Sequence, residues 1–102
     1  MSRSLPTDSD IPMHGWAPYD DIHRERIRAH EKHDATERLG WYDMLKWLAI
    51  VGEEWGEVSR AINEYHLGNL GLQTCRAELR SELVQTAAMC AAWIDAIDDH
   101  DA

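Results

Sequence analysis

Acidic side chains recur at short intervals in two segments of this sequence. The first segment reads Glu53-Glu54-Trp55-Gly56-Glu57, and the second reads Glu82-Leu83-Val84-Gln85. Carboxylate oxygens suit Mg²⁺, which usually keeps several waters, so three or four helix-borne carboxylates can hold one or two ions with positions left open. Such positions accept phosphate oxygens, because the ion reverses the local charge. The pattern therefore indicates a divalent-cation site that binds a polyanion.

The spacing places these side chains in matched positions on two helices. Each residue of a helix is rotated by about 100° from the one before it. In each acidic segment, one side chain therefore lies about 60° from the centre of the apolar face and a second lies about 120° from it, on the same side. The pairs are Glu54 with Glu57 and Glu82 with Gln85. Packing of the two faces would line one groove with both pairs and raise the carboxylate pKa values. A single glutamate is equally typical of a solvent-exposed helix face, so the matched pairs carry the prediction.

Apolar residues spaced three and four apart predict the helices that position these side chains. A helix from about Trp41 to His66 has a stripe of eight residues: Met44, Leu45, Leu48, Val51, Trp55, Val58, Ile62 and Tyr65. A helix from Thr74, a plausible N-cap, to about Asp98 has a second stripe: Leu79, Leu83, Thr86, Cys90, Ile94 and Ile97. A shorter helix, capped by Asp20 or Asp21, precedes them. The sequence therefore predicts an all-α helical bundle of two long helices and one or more shorter ones.

The length of 102 residues suits one domain. We expect a flexible segment over residues 1–17 and a helical domain over residues 18–102. Trp47, Met89 and Trp93 lie on the flanks of the stripes, beyond what one antiparallel partner helix would cover. We therefore expect a homo-oligomer, a dimer or tetramer, that completes a four-helix core.

Charge and hydropathy exclude two classes of partner. Nineteen acidic residues against ten basic ones give a net charge of -9, whereas nucleic-acid binders normally present a basic face. An acidic DNA mimic that blocks a DNA-binding protein remains open. The sequence has no run of about 18–20 uncharged apolar residues, so no membrane partner is expected. The first residues lack the apolar block of a signal peptide, which predicts a cytoplasmic location.

The two acidic segments together resemble a known enzyme family. VGEEWGEVSRAI followed by LRSELVQTAAMCAAWIDAI is similar to the MazG-like all-α nucleoside triphosphate pyrophosphohydrolases, whose signature is E-E-x-x-E followed by E-x-x-D on the next helix. The matching residues are Glu53, Glu54, Glu57 and Glu82. Gln85 stands where the family usually has Asp. The resemblance covers roughly residues 22–98.

The resemblance implies hydrolysis between the α and β phosphates of an NTP or dNTP, giving the monophosphate and pyrophosphate, with Mg²⁺ as cofactor and Mn²⁺ as an alternative. It makes Glu54, Glu57 and Glu82 metal ligands and gives Glu53 the role of orienting or deprotonating the attacking water. Gln85 would ligate through its carbonyl oxygen without adding charge, which predicts weaker binding of one ion. The alternative is a catalytically weakened MazG-like module that binds a nucleotide or a protein.

Three further residues are candidates for substrate binding. Lys32 could contact a phosphate, His33 could face the substrate, and Trp47 could stack on a nucleobase. Each has an ordinary structural explanation as well, since a lysine is usually solvated and a tryptophan at helical spacing is typical of a core or a dimer interface.

Overall fold

The computed structural model describes residues 16–32 and 39–99, and these residues form three helices and no strand. Helix α1 spans Ala17–Lys32, α2 spans Met44–His66 and α3 spans Leu72–Asp98. The prediction of an all-α bundle is confirmed. The predicted flexible segment lies outside the described residues except for its last two positions. Across the described ranges, no helix is long and apolar enough to cross a lipid bilayer.

Each helix begins at a different residue from the one predicted. α1 begins at Ala17 and includes Pro18 in its first turn, where a proline is tolerated because its missing N–H would have no helical partner. α2 begins at Met44 instead of Trp41, because the side chain of Asp43 accepts a hydrogen bond from the backbone N–H of Gly40 at 2.9 Å and holds the preceding residues in a turn. Local hydrogen bonding therefore decides where α2 starts.

The connection between α2 and α3 depends on glycine. Gly68 has a φ of 83°, a left-handed conformation that glycine adopts without steric cost. Gly71 is the N-cap residue of α3, so Thr74 lies inside the first turn instead of capping it. This short connection reverses the chain and places α3 antiparallel to α2.

Helix α3 is the central element, because it packs against both α2 and α1. At one end of the α2–α3 pair the rings of Trp47 and Trp93 stack with centroids 6.1 Å apart and planes 6° from parallel. At the other end the thiol of Cys75 donates a hydrogen bond to the backbone oxygen of Ala61 at 3.5 Å. These two contacts set the register of the antiparallel pair.

Two ion pairs link α1 to α3. The guanidinium of Arg80 contacts Asp21 at 2.7 Å, and that of Arg26 contacts Asp95. Because the earlier residue of α1 pairs with the earlier residue of α3, the two helices run in the same direction. α1 thus adds a third helix beside the α2–α3 pair.

The predicted buried stripe of α2 is largely wrong. Leu45 is 82% exposed and Leu48 is 59% exposed, whereas the buried residues of α2 are Trp47, Val58 and Ala61. The helix is rotated relative to the prediction, because its contact with α3 is built on the tryptophan stack and on the small side chain of Ala61. The longer aliphatic residues are left on the adjacent face.

The predicted apolar stripe of α3 is also only partly buried. Thr86 is buried, as expected from its place in the stripe, and its hydroxyl donates a hydrogen bond to the backbone oxygen of Glu82 at 2.7 Å. Leu83, Ile94 and Ile97 are exposed. Within the described ranges, only part of the apolar surface of either long helix is therefore covered.

Candidate functional site

Glu54 and Glu82 lie at the same height on the two long helices. Glu54 precedes Ala61 by two helical turns, and Glu82 follows Cys75 by two helical turns. Since Ala61 and Cys75 are in contact and the helices are antiparallel, the two glutamates face the same level of the α2–α3 groove. The predicted meeting of the two acidic segments is therefore present for these two residues.

The environment of Glu54 disfavours its charged form. The side chain is half-buried, and burial is the largest cause of a raised pKa, followed by the negative charges of Glu82 and Glu53, with smaller effects from Glu25 and Glu57. Desolvation and like-charge repulsion act in the same direction on a carboxylate. A cation placed beside Glu54 would reverse both effects.

The environment of Glu82 on α3 also disfavours the charged form of its carboxylate. Burial is again the main cause of its raised pKa, and the charges of Glu57, Glu78 and Glu25 add to it. Its Oε2 atom is buried and receives no hydrogen bond from the described residues. A buried carboxylate oxygen without a donor is costly, and a proton, a cation or a hydrogen-bond donor would remove that cost.

Helix α1 contributes a carboxylate and a guanidinium that the sequence analysis did not identify. Glu25 is close enough to raise the pKa of both Glu54 and Glu82. Arg28 donates hydrogen bonds to Glu25 at 2.6 and 3.0 Å, and its pKa is raised by Glu25 first and by Glu54 to a smaller extent. The only signal in the sequence was the presence of charges on the helix that precedes the signature, which does not indicate where that helix packs.

Glu53 and Glu57 lie at the edge of this acidic cluster, which we define as Glu25, Glu54, Glu57, Glu78 and Glu82. Both side chains are exposed. Glu57 lies 3.8 Å from the guanidinium of Arg60 one turn further along α2. Glu53 is exposed beside Glu54, a position that suits a base at the edge of a groove and equally an ordinary surface residue.

Gln85 is half-buried one turn after Glu82. Its amide nitrogen donates a hydrogen bond to the hydroxyl of Ser81 at 3.3 Å. That bond uses the nitrogen and not the carbonyl oxygen, which is the atom a cation would bind. The role of Gln85 as a neutral metal ligand stays a prediction.

Donor chemistry in the acidic cluster fits a hard cation, but the side chains do not enclose one in their present conformations. In the described ranges, no three His, Cys, Asp or Glu side chains lie close enough together to hold a metal ion. The cluster nevertheless offers oxygen donors from all three helices, two raised pKa values and the unpartnered Oε2 of Glu82. Binding of an ion would have to draw the long glutamate side chains together.

Trp47 occupies the core in this fold. It is 8% exposed, its ring stacks on Trp93, and its indole N–H donates to the backbone oxygen of Gly40 at 3.1 Å. This is the structural alternative considered for Trp47 in the sequence, and base stacking by this residue would require the pair to open. Trp93, which was expected to extend beyond one partner helix, contacts Trp47 within the chain and is half-buried, and the oligomer stays a prediction.

The remaining substrate candidates cannot be placed. Lys32 is the last residue of α1, and its side chain, like the whole of His33, lies outside the described residues.

Comparison of the chain with protein-family models, with curated proteins and with solved structures finds no match. The resemblance to MazG-like enzymes therefore rests on the acidic signature and stays a prediction.

Proposed function

We propose that this protein is a Mg²⁺-dependent nucleotide pyrophosphohydrolase that cleaves an NTP or dNTP to the monophosphate and pyrophosphate. The observation that carries the proposal is the position of Glu54 and Glu82 at one level of the α2–α3 groove, each with a raised pKa. Uncompensated carboxylates in such a place destabilise a fold, so a bound cation is their simplest use. A nucleoside triphosphate substrate agrees with the cytoplasmic location expected from the sequence.

In this proposal Glu54, Glu57 and Glu82 would hold the ion, and the carbonyl oxygen of Gln85 would be a further ligand. The bound ion would supply positive charge for the phosphates in a strongly acidic protein. Glu53 accepts a proton from the attacking water as the water oxygen bonds to phosphorus. The bridging P–O bond between the α and β phosphates then breaks, and pyrophosphate leaves.

Arg28 is a candidate for contact with the substrate. Its guanidinium is bound to Glu25 and lies within the electrostatic reach of Glu54. A guanidinium can bind a phosphate through two parallel hydrogen bonds. We propose that Arg28 exchanges part of its bonding with Glu25 for a phosphate oxygen when the nucleotide binds.

The test is pyrophosphate release from each NTP and dNTP with Mg²⁺ or Mn²⁺. We expect turnover with at least one nucleotide, and we expect Glu54→Gln and Glu82→Gln each to lower kcat/KM by about 100-fold or more, as for loss of a group that stabilises developing charge. Glu64→Gln is the matched control, because Glu64 is on α2 but its carboxylate contacts Asn69 outside the cluster. Absence of turnover with every nucleotide and metal would remove the enzyme proposal.

A second candidate function is a MazG-like module that binds nucleotide or protein without efficient catalysis. Gln85 favours it, since an amide replaces a charged ligand and its nitrogen is bonded to Ser81. Calorimetry with Mg²⁺ and a non-hydrolysable triphosphate separates the two candidates. Binding without turnover supports the module, whereas turnover that depends on Glu54 supports the enzyme.

A further inference from the structure

A carboxylate and a guanidinium on helix α1 form a close pair beside the α2–α3 groove. Arg28 donates two hydrogen bonds to Glu25, from Nε to Oε2 at 3.0 Å and from Nη2 to Oε1 at 2.6 Å. Each carboxylate oxygen therefore accepts a bond from the same edge of the guanidinium. Such a forked pair is among the strongest contacts that an arginine makes with a carboxylate.

The two members of this pair differ in their contact with water. The Glu25 side chain is 18% exposed, whereas that of Arg28 is 63% exposed. A carboxylate with so little contact to water is costly unless a positive charge stays beside it. Because Arg28 reaches solvent, it can change partners at a low desolvation cost, but Glu25 must then find another cation.

Helix packing places Glu25 beside the candidate cation site. Asp21, one turn before Glu25, contacts Arg80 of α3 at 2.7 Å. On α3, Glu82 follows Arg80 by two residues. Since α1 and α3 run in the same direction, Glu25 lies near the turn of α3 that carries Glu82. The negative charge of Glu25 accordingly acts on both Glu54 and Glu82.

The proposed cation site has a neutral ligand at position 85, where the family that the sequence resembles usually has an aspartate. The affinity of an oxygen site for a divalent cation depends on the charge of its ligands. Glu25 offers the missing charge from a third helix, but both of its oxygens accept hydrogen bonds from Arg28. Use of Glu25 by a cation therefore requires Arg28 to move.

We propose that Glu25 and Arg28 form a switch, in which a polyphosphate draws Arg28 away and Glu25 is then free to bind the divalent cation and to supply the charge that Gln85 lacks. The switch belongs to the proposed site and so depends on the proposed function. With the site empty, Arg28 occupies Glu25 and keeps the affinity for Mg²⁺ low. Cation and phosphate binding are thereby coupled, and the coupling acts equally in both directions.

Calorimetry of Mg²⁺ binding to the full chain, without nucleotide, tests the switch through a double-mutant cycle. We expect Arg28→Gln to tighten Mg²⁺ binding about tenfold or more, because Glu25 is released from its partner. In the Glu25→Gln background, the same change at position 28 should alter the affinity by less than about twofold, since there is no carboxylate to release.

Inorganic tripolyphosphate tests the other half of the switch. With Mg²⁺ at a saturating concentration, we expect Arg28→Gln to weaken tripolyphosphate binding about tenfold, because a charged hydrogen bond is lost. The one substitution should thus tighten cation binding and weaken phosphate binding. A purely structural role for Arg28 would not move the two affinities in opposite directions.

Arg24→Gln is the matched control. Arg24 is also on α1, but it lies 3.9 Å from Asp21 and its side chain is 78% exposed. This substitution removes the same charge from the same helix without releasing Glu25. Circular dichroism checks that each variant keeps its helix content. If Glu25→Gln does not fold, the comparison of Arg28→Gln with Arg24→Gln still decides between the switch and a general effect of charge.

Four results would overturn the switch: an unchanged Mg²⁺ affinity in Arg28→Gln, an equal gain with and without Glu25, an equal gain in Arg24→Gln, or tripolyphosphate binding that does not depend on Arg28. Absence of Mg²⁺ binding by every variant would overturn it as well. Turnover by the wild type together with any of the four results rejects the switch alone. Absence of turnover together with the expected cycle rejects the enzyme and retains a coupled binding site.

Discussion

Two faces of helix α2 differ in chemistry: one packs on α3 and carries a carboxylate, and the other exposes apolar side chains. The face that meets α3 carries Glu54 beside Val58 and Ala61, so a carboxylate is brought toward the core and its pKa is raised by burial. An adjacent face of α2 exposes Leu48 and Trp55 to solvent. Among the described residues, the first face has no basic side chain of its own, and the large apolar side chains of the second face are not covered.

The difference shows that one helix combines a half-buried carboxylate on one face with exposed apolar side chains on another. A monomeric bundle would be most stable with its aliphatic residues inward and its carboxylates outward. Here the inward contact is made by an aromatic stack and by small residues, and the aliphatic side chains are left outside. Such an arrangement sacrifices stability of the single chain.

The largest predicted effect compares Trp47 with Leu45. Trp47→Ala removes a buried stacked ring and a hydrogen bond, and we expect a loss of about 3–5 kcal/mol in the free energy of unfolding. Leu45→Ala should cost less than about 1 kcal/mol in dilute protein, since Leu45 is mostly exposed within one chain. Denaturant unfolding at low protein concentration measures both, and equal losses would mean that the two faces do not differ.

An intermediate effect comes from neutralising Glu82. Its folded-state pKa is raised, so the folded chain holds the proton more tightly than the unfolded chain. The resulting stability is fully present below the unfolded pKa of about 4.3 and is lost as the pH rises through the folded value. Without metal, Glu82→Gln should therefore be more stable than wild type at pH 7, by up to about 1 kcal/mol after solvent screening.

Thermal unfolding between pH 4 and pH 8 checks the sign. The advantage of Glu82→Gln should disappear at the acidic end, where the wild-type carboxyl is protonated, and Mg²⁺ should stabilise wild type more than the variant. Glu64→Gln should show neither trend. A variant that is less stable than wild type at every pH would contradict the assignment of repulsion at Glu82.

The smallest predicted effect comes from restoring a charge at position 85. Gln85→Asp adds a carboxylate one turn from Glu82, and ion affinity rises with the charge of the ligand set, so we expect Mg²⁺ to bind roughly threefold to tenfold more tightly. Calorimetry with Mg²⁺ measures the change. Gln73→Asp, an exposed position in the first turn of α3, is the control, and an equal gain there would show that net charge alone is responsible.

Helix content and acidic spacing were predictable because they are local properties. The three-and-four spacing predicts α2 and α3, and the positions of Glu54 and Glu82 within them follow from the helical repeat. Rotation of the helices was not predictable, since a stripe that includes Leu48 and Trp55 is as apolar as the one that is buried. The contribution of Glu25 was missed for the same reason, because the packing of α1 is not encoded in its own periodicity.

By itself, the sequence determined three helices, an acid-rich pair of segments and an excess of apolar residues over what one small bundle can bury. Only the tertiary structure decided which apolar residues are covered and which carboxylates are brought together. The physical reason is that helix formation depends on neighbours within a few residues, whereas burial depends on pairs such as Trp47 with Trp93 that are far apart in the chain. Those distant pairs turned α2 so that Glu54 faces the groove and Trp55 faces solvent.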